Sequence, residues 1–99
     1  MSQVSADLGA FLHAISDPTR RRILQALREE KAGATGKRVS PCASDIEQHV
    51  KLSQPTISHH MRILQKVGLV EMKKQGHWRR YRRNEKLISE MTRNLKKQL

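Results

Sequence analysis

Apolar residues recur at helical spacing along most of this 99-residue chain, and the pattern changes in two places. Leu8, Phe11, Leu12 and Ile15 stand at i, i+3, i+4 and i+7, which predicts a helix over residues 5–16. Asp17 can cap and Pro18 can open a second helix over 18–30, with Ile23, Leu24 and Leu27 facing inward. A short helix over 43–50 follows, held by Ile46 and Val50. Residues 53–67 carry the clearest two-sided pattern. Around a helix, Ile57, His60, Met61, Leu64 and Val67 gather on one side, while Pro55, Ser58, His59, Arg62 and Lys66 gather on the other. Ser53 can cap this helix through its hydroxyl. Pro55 lies in the first turn, where its missing N–H costs little, and Gly68 suits the C′ stop. A last helix over 84–98, capped by Asn84, has Leu87, Ile88, Met91 and Leu95 on one stripe.

The two departures read differently from each other. Residues 31–41 combine glycines, a proline and basic residues, and read as a flexible loop. Residues 69–74 and 77–83 read as two strands around Gln75-Gly76, a hairpin signal. With those two residues as the loop, Lys74 faces His77, Met72 faces Arg79 and Val70 faces Tyr81, and Val70, Met72 and Tyr81 point inward. Trp78 then falls outward, but a register change of one residue would turn it in, and we expect it to cover the edge of the core.

The resulting order is helix, helix, short helix, helix, hairpin, helix. Residues 43–50 and 53–67, joined by Lys51-Leu52, make a helix-turn-helix, and the hairpin after them makes it winged. The fold expected is a single domain over 1–99, mainly α with a small β-hairpin. A chain this short buries a small core, and such domains commonly extend it by pairing. Leu8, Phe11, Leu12 and Ile15 of the first helix, with Leu87, Ile88, Met91 and Leu95 of the last, are the expected homodimer surface.

Charge gives this scaffold a partner. Residues 1–50 hold seven Lys/Arg against six Asp/Glu, net +1, whereas residues 51–99 hold thirteen against three, net +10. That asymmetry is the footprint of a polyanion binder, because neutralising phosphates releases condensed counterions. Double-stranded DNA is the partner it implies. Three aromatics in the whole chain argue against a stacking platform for single strands or RNA. No segment approaches the roughly 18 apolar residues of a spanning helix, and no signal peptide is evident, so a cytoplasmic protein without membrane contact is expected.

On the outward strip, Ser58 and His59 are the first candidates for base-edge contact, with Gln54 and Thr56 next and Ser53 at the helix start. Hydroxyls donate or accept, and a Gln amide can pair with adenine N6 and N7. Arg62 and Lys66 continue the strip toward phosphates. Lys73, Lys74, Gln75, Gly76, His77 and Arg79 form the hairpin tip, where a wing lies on backbone or in the minor groove; Glu71 is the only acid between residues 62 and 83. His60 reads as a packed, hydrogen-bonded histidine. Arg20, Arg21 and Arg22 open a helix whose dipole opposes them, which suggests phosphate contact or, preferably, an inter-helix ion pair.

Cys42 is the only cysteine, which excludes an intrachain disulfide, and no paired Cys/His spacing suggests a metal site. Its place near the start of the short helix allows a redox thiol, against the plainer reading of an inert free cysteine. No Ser/His/Asp or paired-carboxylate arrangement stands out, so neither an enzyme nor a cofactor nor a small-molecule substrate is expected. These residues point to a sequence-specific DNA-binding transcriptional regulator. The alternative is a winged-helix interaction module that binds an acidic protein.

The strings ISDPTRRRIL (15–24), LSQPTISHHMRILQKVGLVE (52–71) and GHWRRYRRN (76–84) resemble the ArsR family of bacterial winged-helix repressors, over nearly the whole chain. The resemblance implies a symmetric homodimer built from the first and last helices that represses transcription, its own included, at a palindromic operator. Many members of the family sense metals or other signals, and the SDPTRR opening is most similar to members with no obvious sensor site. Where thiolate sensors in the family carry Cys-x-Cys on the short helix, this chain has Cys42 and Ser44, one thiolate where a closed site needs two or three. Its last helix lacks the His and Asp of the family's other common site. An intersubunit site using His13, His49 or Cys42 stays open. Arg83 stands where the family is usually apolar, implying a shorter second strand or an extra phosphate contact, and the 31–41 loop is longer than is common there.

Overall fold

A computed structural model describes residues 7–28, 31–32, 38–39 and 41–99. Helices α1 (Leu8–Ser16) and α2 (Pro18–Arg28) meet at Asp17, and the strands β1 (Lys31–Ala32) and β2 (Arg38–Val39) come next. Then follow α3 (Ala43–Val50), α4 (Gln54–Lys66), β3 (Val70–Gln75), β4 (Trp78–Arg83) and α5 (Glu85–Gln98). Each early helix is started by a carboxylate. Asp7 accepts from the Ala10 N–H at 2.9 Å, and Asp17 accepts from the Thr19 N–H at 2.7 Å with Pro18 leading α2. Both bonds satisfy donors that a helix start leaves without intrahelical partners. Residues 5–6 and 29–30, expected to extend these helices, lie outside the described residues.

The loop expected over residues 31–41 contains a short ladder. β1 and β2 pair antiparallel, Lys31 with Val39 and Ala32 with Arg38. A ladder needs only backbone groups, so glycines between two ordinary dipeptides do not prevent their ends from pairing. Reading those glycines as punctuation alone misses it.

Helices α3 and α4 occupy the expected span. Lys51 closes α3 in the left-handed region at φ 57°, giving its N–H to the Glu47 carbonyl at 2.8 Å, and the chain turns at once into α4. Ser53 is the N-cap of α4, but its hydroxyl bonds the Thr56 hydroxyl at 2.9 Å and no backbone N–H. The expected side-chain cap is therefore absent, because the nearby hydroxyl competes for the same oxygen. Gly68 ends the helix at φ 83°, a conformation glycine adopts without strain.

The hairpin turns one residue later than expected. Gln75 pairs with Trp78 and Met72 with Tyr81, so Gly76-His77 is the loop. Gly76 has φ 60° and His77 does not have a positive φ. A glycine in the first of two loop positions is the arrangement of a type II′ turn, which matches strand twist and draws Gln75 into β3. Moving the turn by one residue shifts the pairing by two and leaves the faces unchanged. Val70 and Tyr81 are accordingly buried and Met72 half-buried, as the alternation predicts. On its other edge β4 meets the chain just before α3: the Tyr81 N–H donates to the Pro41 carbonyl at 2.9 Å, and Cys42 bridges to Arg80. The wing is thereby fastened to the helix-turn-helix.

One core unites these elements, with Ile23, Ile46, Ile57, Leu64, Leu69 and Met91 almost wholly buried. It also claims part of the expected dimer surface. Phe11, Leu87 and Met91 are 3%, 4% and 1% exposed, so they pack inside their own subunit and are not available to a second copy. Helical stripes are wider than one contact, and the α1–α5 contact uses their inner half. Leu8, Ile15, Ile88 and Leu95 remain half-buried, and Leu12 is 37% exposed.

Leu64 lies in α4 with no exposed surface, so Leu64→Ala should lower unfolding free energy in urea by about 2–5 kcal/mol. A loss under about 1 kcal/mol would show that α4 is not seated by this stripe.

Candidate nucleic-acid interface

The two faces of α4 separate as its sequence requires. Ile57, Met61 and Leu64 are buried, while Pro55, His59, Arg62 and Lys66 are exposed and Ser58 is half-buried at the margin. Ser53, Gln54 and Thr56 are exposed at the start of the helix. The strip is thus open in the subunit, with short polar groups near the N-terminus and cations along the rest.

His60 holds the other margin of the helix. Its Nδ1 lies 3.3 Å from Nη1 of Arg20, a guanidinium that is itself only 6% exposed. Because an arginine is always a donor, Nδ1 must be the acceptor, which places the neutral ring's proton on Nε2. Arg20 also donates through Nε to the Ala14 carbonyl and through Nη2 to the His13 carbonyl at 3.2 Å, and pairs with Asp17 at 3.7 Å. This one side chain joins the C-terminus of α1 to α4.

The neighbouring arginines serve similar ends. Arg21 donates to the Ile15 and Ser16 carbonyls at 2.7 and 3.0 Å, and Arg22 to the Val50 carbonyl, last in α3, at 2.9 Å. Among the described residues neither makes the inter-helix ion pair preferred for it. Helix C-termini leave carbonyls without partners and carry partial negative charge, so cations from the next element settle there. Spacing along α2 does not reveal this, because the carbonyls belong to other helices.

Two acid–base groups respond to this junction. Burial pulls His60 below its ordinary pKa; nearby Asp17 opposes the shift, while Arg20 and His59 add to it. For Asp17 burial acts upward, but the Thr19 and Arg20 N–H groups and the Arg20 charge outweigh it and hold the carboxyl below its usual range.

On the wing, Lys73, Lys74, Gln75, Gly76, His77 and Arg79 are all exposed. Glu71 is engaged by Arg82 at 3.4 Å. Trp78 does not cover the core as expected. It is 55% exposed, its ring lying 5.5 Å from the Arg80 guanidinium. The register keeps it on the face away from Tyr81, whose ring fills the inner position. Arg83 does not shorten the strand: β4 runs through it, and its largely buried side chain donates to the Leu24 carbonyl at 3.3 Å and pairs with Glu85 at 2.9 Å.

Cys42 is 6% exposed, with Sγ 3.0 Å from the Ser44 hydroxyl and 3.2 Å from the Asp45 carboxylate. That carboxylate also accepts from the Cys42 N–H at 3.0 Å and pairs with Arg80 at 3.9 Å. One thiol beside a hydroxyl and an occupied carboxylate does not suit a soft metal or metalloid, which needs two or three thiolates. Among the described residues no group of three or more His, Cys, Asp or Glu is placed to hold a metal.

Comparison with known proteins follows the same lines. The profile of the family described as "Bacterial regulatory protein, arsR family" matches residues 17–72. An uncharacterized HTH-type transcriptional regulator of Methanocaldococcus jannaschii is 43% identical over 68 residues, 69% of this chain and 67% of that protein. The arsenical resistance operon repressor of Staphylococcus xylosus is 35% identical over 89 residues, 90% of this chain and 77% of the repressor. Among solved structures, an ArsR-like transcriptional regulator from Rhodococcus sp. RHA1 superposes with a TM-score of 0.74 at 29% identity, covering 97% of this chain and 82% of that one.

The His60–Arg20 contact carries a pH signature. A histidine whose folded pKa is depressed contributes stability that is present above its unfolded pKa of about 6.5 and is lost as pH falls through the folded value. Urea stability should therefore fall from pH 7.5 to 5, and His60→Gln should fall less over the same interval; equal losses in the two proteins would remove His60 as the cause.

Proposed function

The chain belongs to the arsR family of bacterial regulatory proteins, and on that premise we propose that it represses transcription as a homodimer on a palindromic operator. The α4 strip of each subunit enters a major groove and the wings hold the flanking backbone. One observation carries this reading: the polar and basic face of α4 is open while its apolar face is buried. Within the strip, Ser58 and His59 read base edges, with Gln54 and Thr56 beside them and Ser53 at the helix start, and Arg62 and Lys66 take phosphates. Lys73, Lys74, Gln75, Gly76, His77 and Arg79 are the wing's contacts. Their like charges lie close together with little acid to offset them, an arrangement that a polyanion relieves.

Pairing is supported by what the core leaves over. Leu8, Ile15, Ile88 and Leu95 are half-buried and Leu12 is exposed, an apolar strip along the α1–α5 side of the subunit that a second copy would cover. Two-fold symmetry then sets half-site centres about 34–36 Å apart, or a multiple of that. Among the described residues no helix is long and apolar enough to cross a membrane; a cytoplasmic site of action beside the chromosome is supported by membership in a family of bacterial regulatory proteins. Membership in a family of regulatory proteins supports a role without catalysis.

Selection of bound fragments from genomic DNA should yield a palindrome, with log affinity falling linearly with log salt at about 0.9 per phosphate neutralised. Affinity that is flat in salt would defeat the proposal. Ser58→Ala and His59→Ala should narrow the gap between operator and random duplex, whereas Lys73→Ala and Arg79→Ala should weaken both alike; identical behaviour of the two sets would dissolve the division of roles. Leu12→Glu should sediment as a monomer, and a variant that remains a dimer points to another interface.

A further inference from the structure

Between the tip of the wing and the starts of α3 and α4 lies an open groove of about 320 Å³, lined by Ser44, Gln54, His77, Trp78 and Arg79 with Cys42 at its base. We propose that this groove is a seat for one sugar–phosphate unit of duplex DNA, with Arg79, His77 and Ser44 directed to the phosphate, Trp78 packed against the deoxyribose and Gln54 at the edge that leads to the bases. The proposal rests on the reading that α4 and the wing face the duplex, and adds a site and two residues, Ser44 and Trp78, to it.

Continuity is the first argument. Gln54 stands one helical turn before Ser58, and His77 and Arg79 belong to the wing tip, so the groove spans the gap between the two surfaces assigned to DNA. A strand passing from major groove to wing must cross it. Charge is the second. Among the described residues, cationic and neutral hydrogen-bonding side chains line the groove and no carboxylate does. The nearest acid in sequence, Asp45, is already held by the Cys42 N–H and by Arg80.

Preorganisation is the third. Arg80 lies against the Trp78 ring at 5.5 Å and pairs with Asp45 of α3, while the backbone bridge from Cys42 to Arg80 ties wing to helix. The ring is thus braced by a fixed cation and still 55% exposed. A large aromatic surface left in water is relieved by a sugar face, and a braced side chain loses little freedom when it is covered. An acidic protein segment would satisfy Arg79 but would not require a groove that runs from the wing tip to Gln54 of α4.

Trp78 is the chain's only tryptophan, so its emission reports on this groove alone. Titrating the whole chain with fluorescently end-labelled random-sequence duplex should change Trp78 emission saturably, in step with the anisotropy of the label. Trp78→Ala should weaken binding by about tenfold, the scale of one lost aromatic contact, and Trp78→Phe should retain most of the affinity. Duplex that binds by anisotropy without altering Trp78 emission, or an alanine variant that binds as tightly as the parent, overturns the seat and leaves the DNA-binding reading standing. Absence of any duplex binding removes that reading and the seat with it.

Discussion

Burial of the Ile57, Met61 and Leu64 stripe sets the orientation of everything that acts on the outside. An α-helix has one rotation about its axis that buries such a stripe, and that rotation turns Pro55, His59, Arg62 and Lys66 to solvent. Apolar packing alone is tolerant of small slides along the axis. The polar bond between Arg20 and His60 is not, since a guanidinium withdrawn from water must keep its partners. Helix α2 therefore anchors α4 through one side chain, Arg20, that also closes the C-terminus of α1.

Arginine is used here in two opposed ways. Arg20, Arg21, Arg22 and Arg83 spend their donors on carbonyls of the chain itself, where they stabilise helix ends and inter-element junctions. Arg62 and Arg79 stay exposed. Net charge is thus a coarse guide to any one surface: part of the basic content is internal cement, and the part left outside is shared among α4, the wing and α5, where Lys86, Arg93, Lys96 and Lys97 are exposed. Arg80 stands between these uses, pairing inward with Asp45 and bracing Trp78 on the outside.

Much of the architecture was legible in the chain because it rests on local chemistry. The extents of α3 and α4, the stop at Gly68 and the inward face of the hairpin all follow from periodicity and backbone preference. The turn was missed by one residue, since a glycine can serve at either loop position and only the twist of the paired strands chooses. Trp78 and Arg83 were misread for a related reason. Residue type suggests burial for the indole, and the family pattern suggests a shorter strand at Arg83, whereas Tyr81 fills the inner place and Arg83 stays in β4 with the Leu24 carbonyl within reach.

What the amino-acid order determined by itself was which faces are apolar, where helices begin and end, and that the positive charge belongs to the second half, because those properties depend on neighbours within a few residues. What tertiary structure decided was partnership across distance: Arg22 with Val50, Arg20 with His60, the wing edge with Pro41, and the division of the α1 and α5 stripes between core and surface. Carbonyl groups and grooves have no signature in residue order, since they become partners only when separate elements are brought within hydrogen-bonding distance.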